Sequence, residues 1–204
     1  MEPPDIILAS ASPRRLHLLT AMGLKFTVIP PVNVEELLTG PDPVALAVAN
    51  ARRKAEAVAA RFPAALVIGA DTLVVLDGRI FGKPADPAEA ESILASLVGR
   101  RHEVITGVSI LWPARNVARS FCDTTPVWMR SLTPAQIREY LGKINPLDKA
   151  GAYAIQEHGA GIVERIDGSY HNVMGLPTEK LAEELRGLGV STPALPRPDD
   201  PPSG

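Results

Sequence analysis

A short apolar run that leads directly into a capped helix start constrains the first part of this chain. The run Ile6–Ala9 is typical of a buried strand, and Ser12 followed by Pro13 is typical of a helix start. The free N–H groups of that helix face the strand end, where they create positive potential. Arg14 and Arg15 add two cations to this end, so we expect an anion there, with phosphate as the first candidate. A surface helix that simply begins with two arginines explains the same residues about equally well.

Strand and helix patterns alternate along the chain and predict an α/β fold. Leu66–Ala70 is a continuous apolar run, typical of a strand that is covered on both faces, and an Asp77-Gly78 hairpin turn follows it. Residues 103–129 form a predicted strand pair around Trp112, which favours a mixed sheet over an all-parallel one. Flanking helices are predicted from Pro13 to Gly23, from Pro43 to about Arg61, from Pro87 to about Val98, from Pro134 to about Leu141, and from Pro177 onward.

Composition excludes several classes of protein. The net charge of −2 provides no broad basic field for nonspecific nucleic-acid binding, so any anion site must be local. Cys122 is the only cysteine, which excludes an intramolecular disulfide and a cysteine-based zinc cluster, and its strand-like surroundings predict a buried structural thiol. No apolar stretch approaches the ~18 residues that span a membrane, and the acidic start of the chain is unlike a signal peptide. We therefore expect a cytoplasmic protein.

The length of 204 residues is compatible with one domain. We expect that domain over residues 1–190. From Ser191 onward proline dominates and apolar periodicity ends, so residues 191–204 are predicted to be a disordered tail.

A few charged residues stand beside apolar segments and are candidates for chemistry. Asp71 follows Leu66–Ala70, and a carboxylate at or just past a strand end of an open α/β sheet can hold a metal or accept a proton from water. A turn-capping aspartate is the alternative. Lys54 lies beside the buried stripe of its helix, and Lys83 lies in a glycine-proline turn that suits a phosphate ligand. Glu36 is a candidate second metal ligand, although paired acids in loops are mostly solvated.

Several familiar catalytic motifs are missing from the sequence. It contains no HExxH pattern and no histidine pair at helical spacing, so zinc hydrolysis is not supported. It also lacks the GxxxxGK[ST] motif of P-loops, the GxGxxG motif of dinucleotide folds and the GxSxG motif of serine hydrolases.

Six segments together resemble the Maf family of nucleoside triphosphate pyrophosphatases. They occur in the family's order and spacing from about residue 5 to residue 188. Each segment alone is a weak signal, but six in order are specific. The segments are Ala9-Ser10-Ala11-Ser12-Pro13-Arg14-Arg15, Val34-Glu35-Glu36, Gly69-Ala70-Asp71-Thr72, Gly82-Lys83-Pro84, Asp148-Lys149-Ala150-Gly151-Ala152-Tyr153 and Asn172-Val173-Met174-Gly175-Leu176-Pro177.

The resemblance implies a reaction, a fold and roles for particular residues. The implied reaction is hydrolysis of a nucleoside triphosphate to the monophosphate and pyrophosphate with Mg²⁺ or Mn²⁺. The implied fold has two lobes around a central cleft, similar to inosine-triphosphate pyrophosphatases. By position, Asp71 is the proton acceptor, Glu36 and Asp71 hold the divalent metal, and the phosphate site is formed by Ser10, Arg15, Lys54 and Lys83.

Three further positions bear on the nucleotide. Within the resemblance, Arg14, Thr72 and Gln156 match the branch that hydrolyses dTTP and UTP. The Gln156 amide offers one donor and one acceptor, which complement the O4 and N3–H edge of thymine or uracil. The expected partner is therefore a small-molecule nucleotide, without nucleic acid or membrane, and a homodimer is compatible with the sequence.

Two alternative functions stay open at this point. One is a pyrophosphatase of the same fold that acts on modified purine nucleotides. The other is a nucleotide-sensing regulator of septum formation and cell division, as the family's association with septum formation suggests. The presence of Asp71, Lys83 and Glu36 argues against a pure sensor, because binding alone needs no carboxylate to activate water.

Overall fold

A computed structural model describes residues 4–40 and 42–192 of the chain. The helices are α1 Pro13–Ala21, α2 Pro43–Ala59, α3 Pro87–Leu97, α4 Pro134–Leu141, α5 Tyr170–Met174 and α6 Thr178–Arg186. The strands are β1 Ile6–Ala9, β2 Phe26–Val28, β3 Leu66–Leu76, β4 Arg79–Phe81, β5 Arg101–Trp112, β6 Val117–Met129 and β7 Val163–Ile166. Short 3₁₀ turns lie at Pro113–Arg115, Pro146–Asp148, Ala150–Ala152 and Gly159–Gly161.

The strands form one mixed sheet with flanking helices, as predicted. Its order is β2-β1-β3-β5-β6-β7, and β4 also pairs with β3. β1 pairs in parallel with β2 and β3, whereas the pairs β3–β5, β5–β6 and β6–β7 are antiparallel. The β3–β4 hairpin turns at Asp77 and Gly78, both with positive φ, as the sequence predicted.

The long helix α2 lies directly on the sheet because two glycines leave room for it. A Cβ atom at Gly69 would come within 2.4 Å of the Ala51 carbonyl oxygen, and one at Gly107 within 2.4 Å of the Ala47 carbonyl group. Gly69 is in β3 and Gly107 in β5. This close approach brings the buried face of α2, including Asn50 and Lys54, down to the middle of β3.

Asp71 lies in the middle of β3, so the prediction of a strand-end or turn-capping carboxylate was wrong. β3 continues through eleven residues because Thr72 and the apolar residues after it extend the pairing with β5. The short strand β1 explains why Asp71 is nevertheless reachable. β1 ends opposite Gly69, and β4 joins the same edge only at Val74. Residues 70–73 therefore have no strand partner on that edge within the described chain, and a cleft opens there.

Two large apolar clusters lie on either side of this cleft. One surrounds α3 and α4 and includes Leu94 and Ile137, and the other surrounds α1 and α6 and includes Leu19 and Leu181. They form the cores of two lobes. Smaller clusters under α2 complete the packing against the sheet.

Some details of the helices and strands differ from the predictions. Their helical spacing to Leu19 and Ala47 favours buried positions for Leu16 and Val44, but both are exposed, because Leu18 and Leu46 occupy the positions that face the core. Cys122 is half-buried, since its strand β6 keeps one face partly open to solvent. The short helix α5 was not predicted. The proline-rich tail from residue 193 onward lies outside the described residues, so its predicted disorder is untested.

Candidate functional site

A cleft of about 500 Å³ lies between the two lobes, at the free edge of β3. Every residue that the sequence singled out for catalysis or binding contributes to its lining. These residues are Ser10, Arg14, Arg15, Glu36, Lys54, Asp71, Thr72, Lys83 and Gln156. Successive residues of a strand point to opposite faces of the sheet. The cleft wraps around the free edge, so it reaches Asp71 on the α2 face and Thr72 on the α1 face.

Glu36, Lys54, Asp71 and Lys83 form one side of the cleft, which we call the ion-pair wall. The Lys54 Nζ atom lies 2.7 Å from Glu36 Oε1 and 2.6 Å from Asp71 Oδ1, and thus bridges the two carboxylates. Asp71 and Lys54 are both buried. Lys83 lies at the solvent side, with its Nζ atom 3.2 Å from Glu36 Oε1. The two acids that the sequence placed 35 positions apart thus meet at one ammonium group.

The charge of Glu36 is strongly stabilised by the lysines around it. Burial acts to raise the pKa of Glu36, but the charge and hydrogen bond of Lys54, together with those of Lys83, outweigh burial and lower the pKa to about 2. Glu36 is therefore ionised throughout the physiological pH range. An ionised carboxylate is the form that binds a divalent cation.

Arg15 is buried behind the cleft and joins three parts of the chain. Its guanidinium donates to Ser10 Oγ at 3.2 Å, to Thr72 Oγ1 at 2.9 Å and to the Gly175 carbonyl at 2.8 Å. Burial lowers the pKa of Arg15, whereas the charge of Asp71 opposes this shift. A guanidinium has about five N–H groups, so Arg15 retains donor capacity beyond these three bonds. Gly175 has φ of 114°, a backbone conformation that favours glycine, and its carbonyl anchors the arginine.

The start of α1 differs in detail from the expectation. Ser12 is the N-cap residue, but its hydroxyl makes no capping bond to the described part of the helix. The Ser12 backbone N–H donates instead to Ser10 Oγ at 3.2 Å. Arg14 turns toward the other side of the cleft, where it donates to the Asp148 carbonyl at 3.1 Å.

Asp148, Lys149 and Gln156 line the opposite side of the cleft, and Glu157 bonds to the last two. We call these four residues the turn wall. Lys149 is only 3% exposed and contacts Asp148 Oδ1 at 2.8 Å and Glu157 Oε1 at 3.4 Å. Gln156 Nε2 donates to Glu157 Oε1 at 3.1 Å, and Gln156 Oε1 is buried without a hydrogen-bond partner among the described residues. A buried acceptor without a partner is costly, so this amide is a strong candidate for contact with a ligand.

Two residues of the site were missed by the sequence analysis. Asn50 donates to Asp71 Oδ2 at 2.9 Å, and the available signal was its spacing of four residues before Lys54 on the same helix face. Lys149 lies in one of the six segments that carry the family resemblance, but no local pattern there predicted that its side chain is buried.

The acidic pair has the chemistry of a magnesium or manganese site. Hard divalent cations of this kind bind through one or two carboxylates together with substrate phosphates and water. Glu36 and Asp71 already share one cation, the Lys54 ammonium, so the space between them suits positive charge. The described residues contain no cluster of three or more acidic, histidine or cysteine side chains, so an all-protein metal cage is absent from that part of the chain.

None of the helices in the described residues is long and apolar enough to cross a membrane.

Comparison with known proteins places the chain in a family. A family model described as Maf-like protein matches residues 5–188. A dTTP/UTP pyrophosphatase of Carboxydothermus hydrogenoformans is 45% identical over 90% of this chain and 98% of that protein. A dTTP/UTP pyrophosphatase of Geobacter metallireducens is 48% identical over 91% of this chain and 96% of its own length. A solved dITP/XTP pyrophosphatase structure from Mycobacterium abscessus aligns with 91% of this chain and 96% of its own, at 17% identity and a TM-score of 0.45.

Proposed function

The chain belongs to the Maf family, and we propose on this premise that it hydrolyses dTTP and UTP to the monophosphate and pyrophosphate. Relatives that cover nine-tenths of the chain carry the name dTTP/UTP pyrophosphatase. The observation that carries the proposal is the meeting of Glu36 and Asp71 with Lys54 and Lys83 in one cleft. This arrangement combines a water-activating carboxylate with cations for a triphosphate.

We assign Asp71 as the proton acceptor of the reaction. The oxygen of a water molecule attacks the α-phosphorus, the bond to the α–β bridging oxygen breaks, and pyrophosphate leaves with that oxygen and its electron pair. The water proton goes to an Asp71 carboxylate oxygen. Asn50 and Lys54 each bond one of these oxygens, and the Asn50 bond would keep the carboxylate oriented when the Lys54 ammonium group turns away from it. A carboxylate has about four lone-pair sites, so both oxygens keep capacity to accept a proton.

Glu36 and Asp71 would hold a Mg²⁺ or Mn²⁺ ion. When bound, the metal would supply Lewis-acid stabilisation of the charge on the triphosphate. This proposal is supported by the hard oxygen donors of both residues and by the low pKa of Glu36. Lys54 bridges the same two carboxylates, so its ammonium group is free to turn toward a phosphate once another cation neutralises them.

Arg15, Lys54, Lys83 and Ser10 are proposed to bind the triphosphate. Negative charge grows on the leaving pyrophosphate in the transition state, and fixed cations stabilise that state more than the bound substrate. Lys83 is about half exposed and therefore suited to meet the outer phosphates. Arg15 is held rigidly by its three protein bonds, which places its remaining donors with little loss of entropy.

Gln156, with Arg14 and Thr72 nearby in the cleft, is proposed to select the base. The buried Gln156 Oε1 would accept from the N3–H of uracil or thymine, and its Nε2 would donate to O4. Cytosine presents the opposite pattern at these atoms. Without a ligand, Gln156 Oε1 is buried and unpaired. A base that cannot donate to this oxygen leaves it unpaired, which is a physical reason for strong discrimination between bases.

A panel of nucleotides tests this function. Pyrophosphate and monophosphate release should be measured for all common ribonucleoside and deoxyribonucleoside triphosphates with Mg²⁺ and with Mn²⁺. We expect UTP and dTTP to be the best substrates, with no diphosphate formed and no reaction after chelation of the metal. Preference for a purine nucleotide, or binding without turnover, would contradict the proposal.

Two further expectations concern the protein in the cell. We propose a cytoplasmic location, which is supported by the single cysteine of the sequence, because disulfide-bonded proteins occur mainly in oxidising compartments. A homodimer is the proposed assembly, and sedimentation over a range of protein concentrations tests it. A single species with the monomer mass at all concentrations would exclude the dimer.

A further inference from the structure

We propose that Asn50 is a positioning residue that holds the Glu36 loop against Asp71, so that the two carboxylates keep the spacing needed to share a divalent cation. This inference rests on the proposed function. Asn50 is not one of the groups that would touch the nucleotide or the metal, since it acts through Asp71 and through the backbone next to Glu36.

The Asn50 side chain makes three hydrogen bonds of the same length. Its Nδ2 atom donates to Asp71 Oδ2 and to the Leu37 carbonyl, each at 2.9 Å. Its Oδ1 atom accepts from the Leu37 N–H, also at 2.9 Å. Asn50 is only 1% exposed, so these bonds are shielded from water. The side-chain amide of Asn50 on α2 thus connects β3 and the loop through both its nitrogen and its oxygen atom.

The loop that carries Glu36 needs such an anchor. It lies between β2 and α2, in a stretch with no helix or strand at residues 29–40. Apolar burial contributes little to fixing it, because Leu37 and Leu38 are 41% and 44% exposed. The paired bonds between Asn50 and Leu37 replace the backbone bonds that a strand partner would otherwise provide.

Asn50 and Lys54 together fix both oxygens of Asp71. The two residues are one helical turn apart on α2, and each takes a different carboxylate oxygen. Lys54 also contacts Glu36 directly, but a metal ion between the acids would replace its ammonium group. Asn50 bonds no Glu36 atom, and it bonds Asp71 Oδ2 whereas Lys54 bonds Asp71 Oδ1. Asn50 can therefore hold the distance between the two carboxylates both with and without a bound metal ion.

Kinetics of Asn50→Leu and Asn50→Ala test the effect on the metal. Outer partners of metal-binding carboxylates typically contribute about 10- to 100-fold in metal affinity or activity. We expect the Mn²⁺ concentration for half-maximal pyrophosphate release from UTP to rise about 10- to 100-fold in both variants. The KM for UTP at saturating Mn²⁺ should stay unchanged. Val58→Ala, a core truncation two turns further along α2, is the control and should lower the melting temperature without moving the Mn²⁺ constant.

Hydrogen exchange provides a second readout that needs neither metal nor turnover. In the wild type and in Val58→Ala, the Leu37 amide should be protected by its bond to Asn50. In Asn50→Leu that protection should be lost while core amides of β3 stay protected. This measurement also uses Asn50→Ala, in case the leucine variant does not fold.

The possible results separate the inference from the proposed function. If the Asn50 variants lose melting temperature like Val58→Ala but keep the Mn²⁺ constant, or keep Leu37 protection, Asn50 is only a satisfied core amide and the inference is overturned. If the wild type releases no pyrophosphate from any nucleotide, the proposed function fails. The exchange at Leu37 then still decides whether Asn50 holds the loop.

Discussion

The two walls of the cleft are built in opposite ways. Bonds in the ion-pair wall join residues that are 17, 18 and 47 positions apart, from a helix, a strand and two loops. Bonds in the turn wall join residues only one to eight positions apart, in the segment of short 3₁₀ turns and bends that follows α4. The first wall depends on the packing of α2 against the sheet, whereas the second depends on local turn geometry.

This difference separates chemistry from recognition. Asp71 and Lys54, the buried members of the ion-pair wall, are fixed by the sheet and α2, as catalytic geometry requires, and the loop residues Glu36 and Lys83 are joined to them by ion pairs. The turn wall contributes Gln156 from a loop, where substitutions disturb the core least. Changes in the first wall should therefore affect every nucleotide equally, and changes in the second should affect some nucleotides more than others.

Asp71→Asn should have the largest effect. Loss of the proton acceptor is expected to reduce kcat by about 10²-fold or more, equally for UTP and dTTP. Steady-state rates of pyrophosphate release measure it. The matched control Asp77→Asn lies at the end of the same strand, in the β3–β4 turn, and should retain full activity. Full activity of Asp71→Asn would remove Asp71 from the mechanism.

Gln156→Glu should have a smaller and selective effect. Replacing the amide puts a carboxylate oxygen where a donor to O4 is needed, so kcat/KM for UTP and dTTP should fall about 10- to 100-fold. Guanine nucleotides should lose less or gain, because their edge offers N–H donors. Gln136→Glu, at an exposed position of α4, is the control. An equal loss for all nucleotides would contradict the assignment of catalysis to the ion-pair wall and of base recognition to the turn wall.

Lys149→Met should reduce activity by less than about 10-fold, because its partners are local and partly solvated. Loosening of Glu157 should weaken the orientation of Gln156, so discrimination between UTP and CTP should decline more than kcat. A nucleotide competition assay measures this ratio. Lys143→Met, an exposed lysine paired with Glu139, is the control. A large loss of kcat with unchanged discrimination would move Lys149 into the catalytic group.

The pH dependence of stability should show the smallest effect. The folded protein holds the pKa of Glu36 at about 2, below its ordinary value of 4.5, because Lys54 and Lys83 outweigh the effect of burial. As the pH falls, the unfolded chain therefore binds this proton at a higher pH than the folded protein does. The contribution of the Glu36 ion pairs to the free energy of unfolding is thus present above pH 4.5 and declines as the pH falls toward 2. Urea unfolding between pH 6 and pH 3 should show that the free energy of unfolding declines more steeply for the wild type than for Glu36→Gln. Glu56→Gln, at an exposed ion pair, should behave like the wild type.

Predictions that depend on neighbouring residues were successful. The starts of α3 at Pro87 and α4 at Pro134, the Asp77-Gly78 turn and the β5–β6 hairpin are all confirmed, because each is specified by a few adjacent side chains. The family resemblance also identified the residues that now line one cleft. Their spacing along the chain carried no information about which of them touch.

Local sequence thus determined where most helices and strands begin and end, and which charged residues are candidates for chemistry. Tertiary structure decided that Asp71 lies inside a strand rather than after it, because pairing with β5 continues β3 past the end of β1. It also decided that Asn50 and Lys54 face the same carboxylate, because α2 packs onto Gly69 and Gly107. Contacts between distant segments depend on the sum of packing over the whole sheet, and no single stretch of the chain encodes them.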